Sequence, residues 1–386
     1  MGDVMYRVHC LNPISKIGLQ ELPQTYELTD EIDGATAILV RSAVMHELEL
    51  PQSVKAVARA GAGVNNIPLD VYAQKGVVVF NTPGANANAV KELTLAGMLL
   101  ASRDIHGGMN WVKANREDAD IAKTVEKAKA KFGGTEIKGK TIGIIGLGAI
   151  GMELAKSCVA LGMKVIGTKR NLSTIDRLEL PENMRLVKTK EELLDASDFI
   201  SLNVPLSSDT KHLLDEEAFK KMKDGVIILN FARDALVDDE ALREALDAKK
   251  VRAYVTDFPN VATANMQGVL AIPHLGASTE EAEDNCAVMA IDQMVDYIEH
   301  GNITHSVNFP DATLGKKRSH RFTLLCSSIT DTTDVMKAFA GYKVHQSVMK
   351  SNQKYQTIII EVEQKPDQAL VTKLHDFPGV IHIHQC

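Results

Sequence analysis

The chain has little with which to cross-link itself. Among 386 residues there are five cysteines: Cys10, Cys158, Cys286, Cys326 and Cys386. They are odd in number and scattered, with no Cys-x-x-Cys pair. That excludes a disulfide framework and a thiolate zinc site. The expectation is small core residues in a reducing compartment, and no bound metal. A basic excess is also missing, because 43 Lys and Arg against 50 Asp and Glu leave a net charge of -7. A general nucleic-acid binder needs clustered cations for its phosphate contacts, and the one short run, Lys316-Lys317-Arg318, reads as a solvated linker. No apolar run reaches spanning length and the N-terminus shows no secretory pattern. The chain is therefore expected to be cytoplasmic, with neither membrane nor nucleic-acid partners.

What is present is an apolar content of 45%, as in soluble globular proteins, over a length that asks for two or three domains. Short β-branched runs at 6–8, 37–40, 54–58 and 77–80 suit a buried parallel sheet. A helical stretch from about Ala89 follows, ending near Gly107-Gly108. A cleaner alternation starts at Thr141, with strands expected at 141–145, 164–167, 199–204, 226–230, 252–257 and 269–272. Strands separated by helices make a doubly wound, Rossmann-type α/β sheet. Ser278 and Glu281 form a capping-box pattern that opens a helix through Tyr297, stopped by Gly301. Residues 311–320 read as a linker. Beyond it, strands at 321–325, 356–362 and 380–384 with helices near 334–340 and 367–374 make a small α+β unit.

The run Thr141-Ile-Gly-Ile-Ile-Gly146-Leu-Gly148-Ala-Ile-Gly151 places G-x-G-x-x-G between a strand and a helix. Gly146 makes the tight turn, Gly148 lets backbone approach a pyrophosphate, and Gly151 lets the helix pack on the sheet. The pyrophosphate rests on the helix N-terminus. About twenty residues on, where an acid would bind the adenosine ribose, stand Thr168, Lys169 and Arg170. Cations there favour NADP(H), or dual use with NAD(H); the other reading is a solvated loop.

Three later motifs, Asn230-Phe-Ala-Arg233-Asp, Thr256-Asp257-Phe and Pro273-His274-Leu-Gly-Ala-Ser-Thr, follow this mid-chain fingerprint. Together they resemble the D-isomer-specific 2-hydroxyacid dehydrogenases over roughly residues 1–310. The resemblance implies a flavodoxin-like substrate domain (1–100) interrupted by the dinucleotide domain (101–282) and completed by a return helix (283–310). After the linker comes a domain resembling ACT regulatory modules (321–386). Val40-Arg41-Ser42, Ala58-Arg-Ala-Gly61-Ala-Gly63 and Asn81-Thr-Pro-Gly-Ala-Asn86 match the phosphoglycerate dehydrogenases most fully within that family. The implied reaction is NAD(P)-dependent hydride transfer at C2 of D-3-phosphoglycerate, in a homo-oligomer (dimer or tetramer) whose partner is a small-molecule substrate.

Oxidising a 2-hydroxy acid needs a base for the hydroxyl proton and a cation for the carboxylate. By resemblance His274 is the base and Arg233 the bidentate carboxylate holder. Gly61, Ala62 and Gly63 would meet the carboxylate with their N–H groups, and Arg41, Ser42 and Asn86 the far end of the substrate. Asp257 would orient the nicotinamide amide. Asn203, Val204, Pro205 and Thr210 would flank the cofactor, as would Ala149, Ile150, Ala232 and Gly276. Two departures stand out. The glutamate that family members place shortly after the Asp257 position, where it orients the histidine, is absent from Asp257-Phe-Pro-Asn-Val261-Ala262-Thr; Glu280 or Glu281 is a candidate substitute. The tail has Cys326-Ser-Ser328-Ile-Thr where serine-binding modules carry a His-x-Asn-x-Pro-Gly-like segment, so loss of effector binding is expected although Asp376-Phe-Pro-Gly379-Val380 is kept. The alternatives are an NADPH-linked glyoxylate or hydroxypyruvate reductase, favoured by Lys169-Arg170, and a dinucleotide-sensing binding protein of the same fold.

Overall fold

A computed structural model describes residues 5–170 and 180–386. It forms two compact units, one made of Met1–Asn86 with Glu280–Cys386 and the other of Ala87–Thr279. In the first, β1 (Tyr6–Cys10), α1 (Lys16–Gln20), β2 (Tyr26–Thr29), β3 (Ala37–Val40), β4 (Ala56–Arg59), α2 (Leu69–Gln74) and β5 (Val78–Phe80) build a parallel sheet of order β2-β1-β3-β4-β5. That is the flavodoxin-like order 2-1-3-4-5. All four residues of β3 are buried, as a strand covered on both faces requires.

The second unit holds α3 (Ala87–Ser102), α4 (Ile105–Ala114), α5 (Ile121–Ala128), β6 (Thr141–Ile145), α6 (Ala149–Ala160), β7 (Lys164–Thr168), β8 (Met184–Leu186), α7 (Lys190–Ala196), β9 (Phe199–Leu202), α8 (Glu216–Lys221), β10 (Val226–Asn230), α9 (Asp239–Asp247), β11 (Val251–Thr256), α10 (Val261–Ala264) and β12 (Val269–Ala271). Its parallel sheet runs β12-β11-β10-β9-β6-β7-β8. Counted within the unit, this is the Rossmann order 3-2-1-4-5-6 with one strand added at the edge. The order reverses between β6 and β9, the point where such sheets bind ligands at their carboxyl ends.

The chain returns to the first unit through α11 (Glu280–His300), whose Cys286, Ala290, Ile291, Met294 and Tyr297 pack against the residues of β3, β4 and β5. Gly18 lets α1 sit directly on α11, since a Cβ there would run into Ala287. Then come β13 (His320–Ser327), α12 (Thr332–Ala338), β14 (Val344–Ser351), β15 (Tyr355–Val362), α13 (Gln368–His375) and β16 (Val380–Gln385), an antiparallel sheet of order β14-β15-β13-β16. The βαββαβ succession is ferredoxin-like. This tail belongs to the first unit. Arg321 and Glu361, each 1% exposed, form an ion pair at 2.5 Å. Arg321 also donates to the carbonyls of His300 and Gly315, both at 2.7 Å. His384 of β16 bonds the carbonyl of Ile298 at 2.9 Å and lies 4.9 Å from the Tyr297 ring.

Several expectations are corrected. The boundary falls at 86/87 rather than 100/101, because α3 packs on β10 and β11, with Phe231 and Val255 against Gly97. It returns at 279/280, not 282/283. The helix expected to end at Gly107-Gly108 ends at Ser102, and Asp104 caps a new helix that contains both glycines. Ser278 bonds the carbonyl of His274 and the long helix starts at Glu280. The stretch 311–320 is tied down rather than a free linker: Asp311 accepts from the N–H groups of His305 and Ser306, and Ala312 pairs with Ile303. Strands β2, β8 and β14 were not expected.

Candidate active site

In the second unit the expected residues lie at strand ends, in loops or at helix starts along the carboxyl edge of the sheet. After β6, Gly146 sits at φ +100°, and a Cβ on it would strike Asn203 of the loop after β9. A Cβ on Gly151 would strike the carbonyl of Gly146, which is why the helix can approach the strand only as glycine. Gly148 differs: a Cβ there meets nothing within 4 Å. Its backbone borders open space at the N-terminus of α6, with Ala149 and Ile150 starting the helix. Free N–H groups at a helix start facing open space form an anion cradle.

The neighbouring loops are braced. The N–H of Asn203 donates to Ile145 and its side chain to Ser201. The hydroxyl of Thr210 donates to Pro205 and accepts from the N–H of Ser207, both at 2.7 Å. Thr210 thus holds the loop from Pro205 in shape, while Val204 packs against the core and borders Gly146. At the end of β7, Thr168 and the following Lys169 are half-buried and Arg170 is exposed, 3.6 Å from Asp209.

After β10, Asn230 organises the turn that carries the expected arginine. Its side-chain carbonyl accepts from the N–H groups of Ala232 and Arg233, and its amide donates to the carbonyl of Arg233 and to the Tyr254 hydroxyl. The guanidinium of Arg233 bonds the carbonyl of Ala232 at 2.6 Å and lies over the Phe258 ring, 5.1 Å from its centre. The same ring lies 4.3 Å from the imidazole of His274, tilted by 45°. Arg233 and His274, far apart in sequence, are therefore joined through one aromatic side chain.

Asp257 is 1% exposed, with one carboxylate oxygen accepting from the N–H of Gly276 at 2.9 Å. The other is buried without a partner. Burial raises the pKa of this carboxyl above its ordinary value, opposed by the Gly276 hydrogen bond and by His274 and Arg233 nearby. A buried acceptor left unmatched costs free energy, and the carboxamide of a nicotinamide would satisfy it. This atom and the open cradle at Gly148 make the site fit a dinucleotide. No carboxylate in this unit pairs with His274 among the described residues. Val261, in the segment that follows Asp257, is 85% exposed, and Glu280 and Glu281 open α11 of the other unit.

In the first unit the expected substrate residues follow three adjacent strands, β3, β4 and β5, and so share one carboxyl edge. Arg41 pairs with Glu283 at 2.7 Å, both sides partly exposed. Ser42 is exposed, and Asn86 is half-buried at the end of the loop after β5. Gly61 has φ +153°, and Asn81 donates to the carbonyl of Ala62, fixing the turn through Gly63. Arg59 went unnoticed in the sequence. Its guanidinium lies against Gly61 and donates to Asn66 at 3.2 Å, adding a second cation to this edge. Its place inside an apolar strand motif masked it. A cavity of about 720 Å³ elsewhere in the unit, lined by His46, Asp70, Asn308 and Lys354 among others, shares no residue with either cluster.

Residues 95–276 match the model of the D-isomer specific 2-hydroxyacid dehydrogenase, NAD binding domain. A D-3-phosphoglycerate dehydrogenase of Methanocaldococcus jannaschii is 34% identical over 308 residues, covering 76% of this chain and 56% of that protein. A hydroxypyruvate reductase of Thermotoga maritima is 35% identical over 75% of this chain and 97% of its own length. The chain spans about half the length of the phosphoglycerate dehydrogenases it matches. Among solved structures, NAD+-bound 3-phosphoglycerate dehydrogenase of Entamoeba histolytica superposes with a TM-score of 0.62 at 27% identity, covering 79% of this chain and 99% of that one.

Proposed function

The chain belongs to the D-isomer-specific 2-hydroxyacid dehydrogenases, and we propose that it moves a hydride between a nicotinamide dinucleotide and C2 of a small 2-hydroxy acid, with D-3-phosphoglycerate as the first candidate. The observation that carries this reading is the pairing of Arg233 and His274 on one ring, next to a buried acceptor on Asp257 that lacks a partner. Arg233 holds the carboxylate of the acid with its planar fork. His274 takes the proton from the C2 hydroxyl during oxidation and returns it to the carbonyl oxygen during reduction. Asp257 fixes the carboxamide through its free oxygen, and the Gly146–Gly151 turn receives the pyrophosphate. Bound nicotinamide supplies the hydride acceptor. Arg41 and Arg59 are the cations that a phosphorylated substrate would use on the edge of the first unit.

A hydroxypyruvate or glyoxylate reductase is the second reading. Its support is the match to the Thermotoga maritima protein over nearly that protein's whole length, together with Lys169 and Arg170. Arg170 remains available for an NADP(H) 2′-phosphate, because its pair with Asp209 is exposed and long at 3.6 Å and worth only about 0–1 kcal/mol. A dinucleotide sensor is the third reading, and the retained His274 and Arg233 speak against it. We read the ferredoxin-like tail as a regulatory or association module of ACT type that does not take serine in the usual way. The exposed Ile105, Met109 and Val112 of α4 are read as a surface for self-association in a homo-oligomer. The deciding experiment is turnover of 3-phosphoglycerate, hydroxypyruvate and glyoxylate with NAD(H) and NADP(H) side by side. Preference for the phosphorylated acid supports the first reading, preference for an unphosphorylated acid the second, and nucleotide binding without turnover the sensor. An NAD preference above about a hundredfold, near 2.7 kcal/mol, removes the role given to Lys169 and Arg170.

A further inference from the structure

We infer that Phe258 is the positioning residue of this site, a single ring that orients both the imidazole of His274 and the guanidinium of Arg233. The inference rests on the dehydrogenase reading above and says how its base is held. A catalytic imidazole needs something to fix its ring plane, and a carboxylate hydrogen bond is the usual device. In this unit no such carboxylate meets His274 among the described residues.

The segment that would supply one is committed elsewhere. Asn260 caps α10 in a reciprocal box with Thr263 and binds Asp239 at 2.9 Å. Val261, the next residue, is 85% exposed. Phe258 fills the place beside the imidazole instead, at 4.3 Å between ring centres.

Three features suit Phe258 to the task. Its backbone is fixed: the N–H of Phe258 donates to the Thr256 hydroxyl at 3.0 Å, and the preceding Asp257 is pinned to Gly276. Its side chain has two rotatable bonds, fewer than a glutamate, so its ring is held with less freedom to lose. Its π face is electron-rich, which attracts the guanidinium and also the imidazolium that forms when His274 accepts a proton. A tilt of 45° limits rotation of the imidazole while leaving its nitrogens free for substrate. Phe258 itself carries no proton and acts only through its two neighbours.

The test uses the full chain and three variants. Phe258→Leu keeps bulk and removes the π face, Phe258→Tyr keeps the ring, and His274→Gln identifies the His274 signals in the NMR spectrum of isotopically labelled histidines. The Leu variant is expected to lose about tenfold or more in kcat, the size of one aromatic and one cation–π contact. Its nucleotide KM should stay within about twofold, because the cradle is untouched. The Tyr variant should recover kcat. The ring protons of His274 should lie upfield in the wild type and in the Tyr variant, through the ring current of the stack, and move downfield in the Leu variant. A Leu variant with wild-type kcat overturns the inference, and so does a His274 resonance that does not move. Should the wild type turn over none of the 2-oxo acids, the dehydrogenase reading fails, and the resonance alone then decides whether Phe258 orients the ring.

Discussion

In the proposed reading His274 acts as a base through its neighbours, which include Phe258 and, through that ring, Arg233. His274→Ala is expected to lower kcat by about 10²–10⁴-fold, the usual contribution of acid–base catalysis, with nucleotide affinity unchanged in a fluorescence titration. Retention of more than about a tenth of the activity, well above that range, would remove the assignment. Arg41 and Ser42 stand out in the sequence by their motif, but the pairing of Arg41 with Glu283 does not, because that contact joins a strand end to a helix more than two hundred residues later. It has a consequence for substrate choice. Glu283→Gln frees the guanidinium and should lower KM for 3-phosphoglycerate while leaving glyoxylate unaffected, and Arg41→Ala should do the reverse to the phosphorylated acid alone. Equal effects on both acids would place Arg41 outside the phosphate site. Arg59 and Phe258 were illegible for the same reason: a type and a position in sequence do not say which loop a side chain will meet.

At the scale of elements, the glycine fingerprint was legible because each of its glycines answers a local steric demand. Those demands differ, and the difference can be measured. Gly151→Ala forces a Cβ into the carbonyl of Gly146 and should cost about 1–3 kcal/mol of stability, as overpacking does. Gly148→Ala has open space and an ordinary φ of −84°, so it should unfold at the wild-type denaturant midpoint while binding dinucleotide more weakly. A Gly148 variant that binds normally would show that the cradle is not where the pyrophosphate lies. Two of the strands missed, β8 and β14, have no buried residue. In β14 only alternate residues are even half-buried, so its apolar signal is thin, and β8 has three residues with none buried. The end of α3 was misjudged because Gly107-Gly108 looks like a stop. The break at Asp104 comes instead from its side chain capping the next helix.

For the whole molecule, two domain kinds could be read from strand and helix alternation, whereas the attachment of the tail could not. Its anchor is an arginine inside a strand, and nothing in a strand pattern announces a buried guanidinium. Arg321→Met should destabilise the first unit by about 3–5 kcal/mol, the cost of leaving one partner of a buried pair alone, as seen in the urea midpoint. A loss below about 1 kcal/mol, the size of an exposed pair, would show the pair to be solvated. Acid should loosen the tail at a second contact, that of His384 with the Ile298 carbonyl. Burial pushes His384 down to about 3, against an ordinary value of about 6.5, so below pH 6.5 the unfolded chain binds a proton that the folded chain refuses. The stability is complete above that pH and is lost as pH falls toward 3, by about 1.4 kcal/mol per unit. Burial lowers His382 in the same direction, so His384→Phe should reduce this slope between pH 6.5 and 5 without abolishing it. Equal urea midpoints for the wild type at pH 7 and pH 5 would refute the account.

The chain leaves the first unit after Asn86 and re-enters it at Glu280, and this sets an order on its synthesis. At about 5–20 residues per second, the first five strands emerge long before α11, whose Cys286, Ala290, Ile291 and Tyr297 cover one face of their sheet. Until then that face is bare, and a nascent chain that has emerged from the ribosome only as far as residue 280 should carry a finished dinucleotide domain beside an unfinished, chaperone-seeking sheet. The inserted domain is contiguous and can close on the ribosome. Once folded, it also shortens the effective loop between β5 and α11 and so reduces the entropy cost of bringing them together.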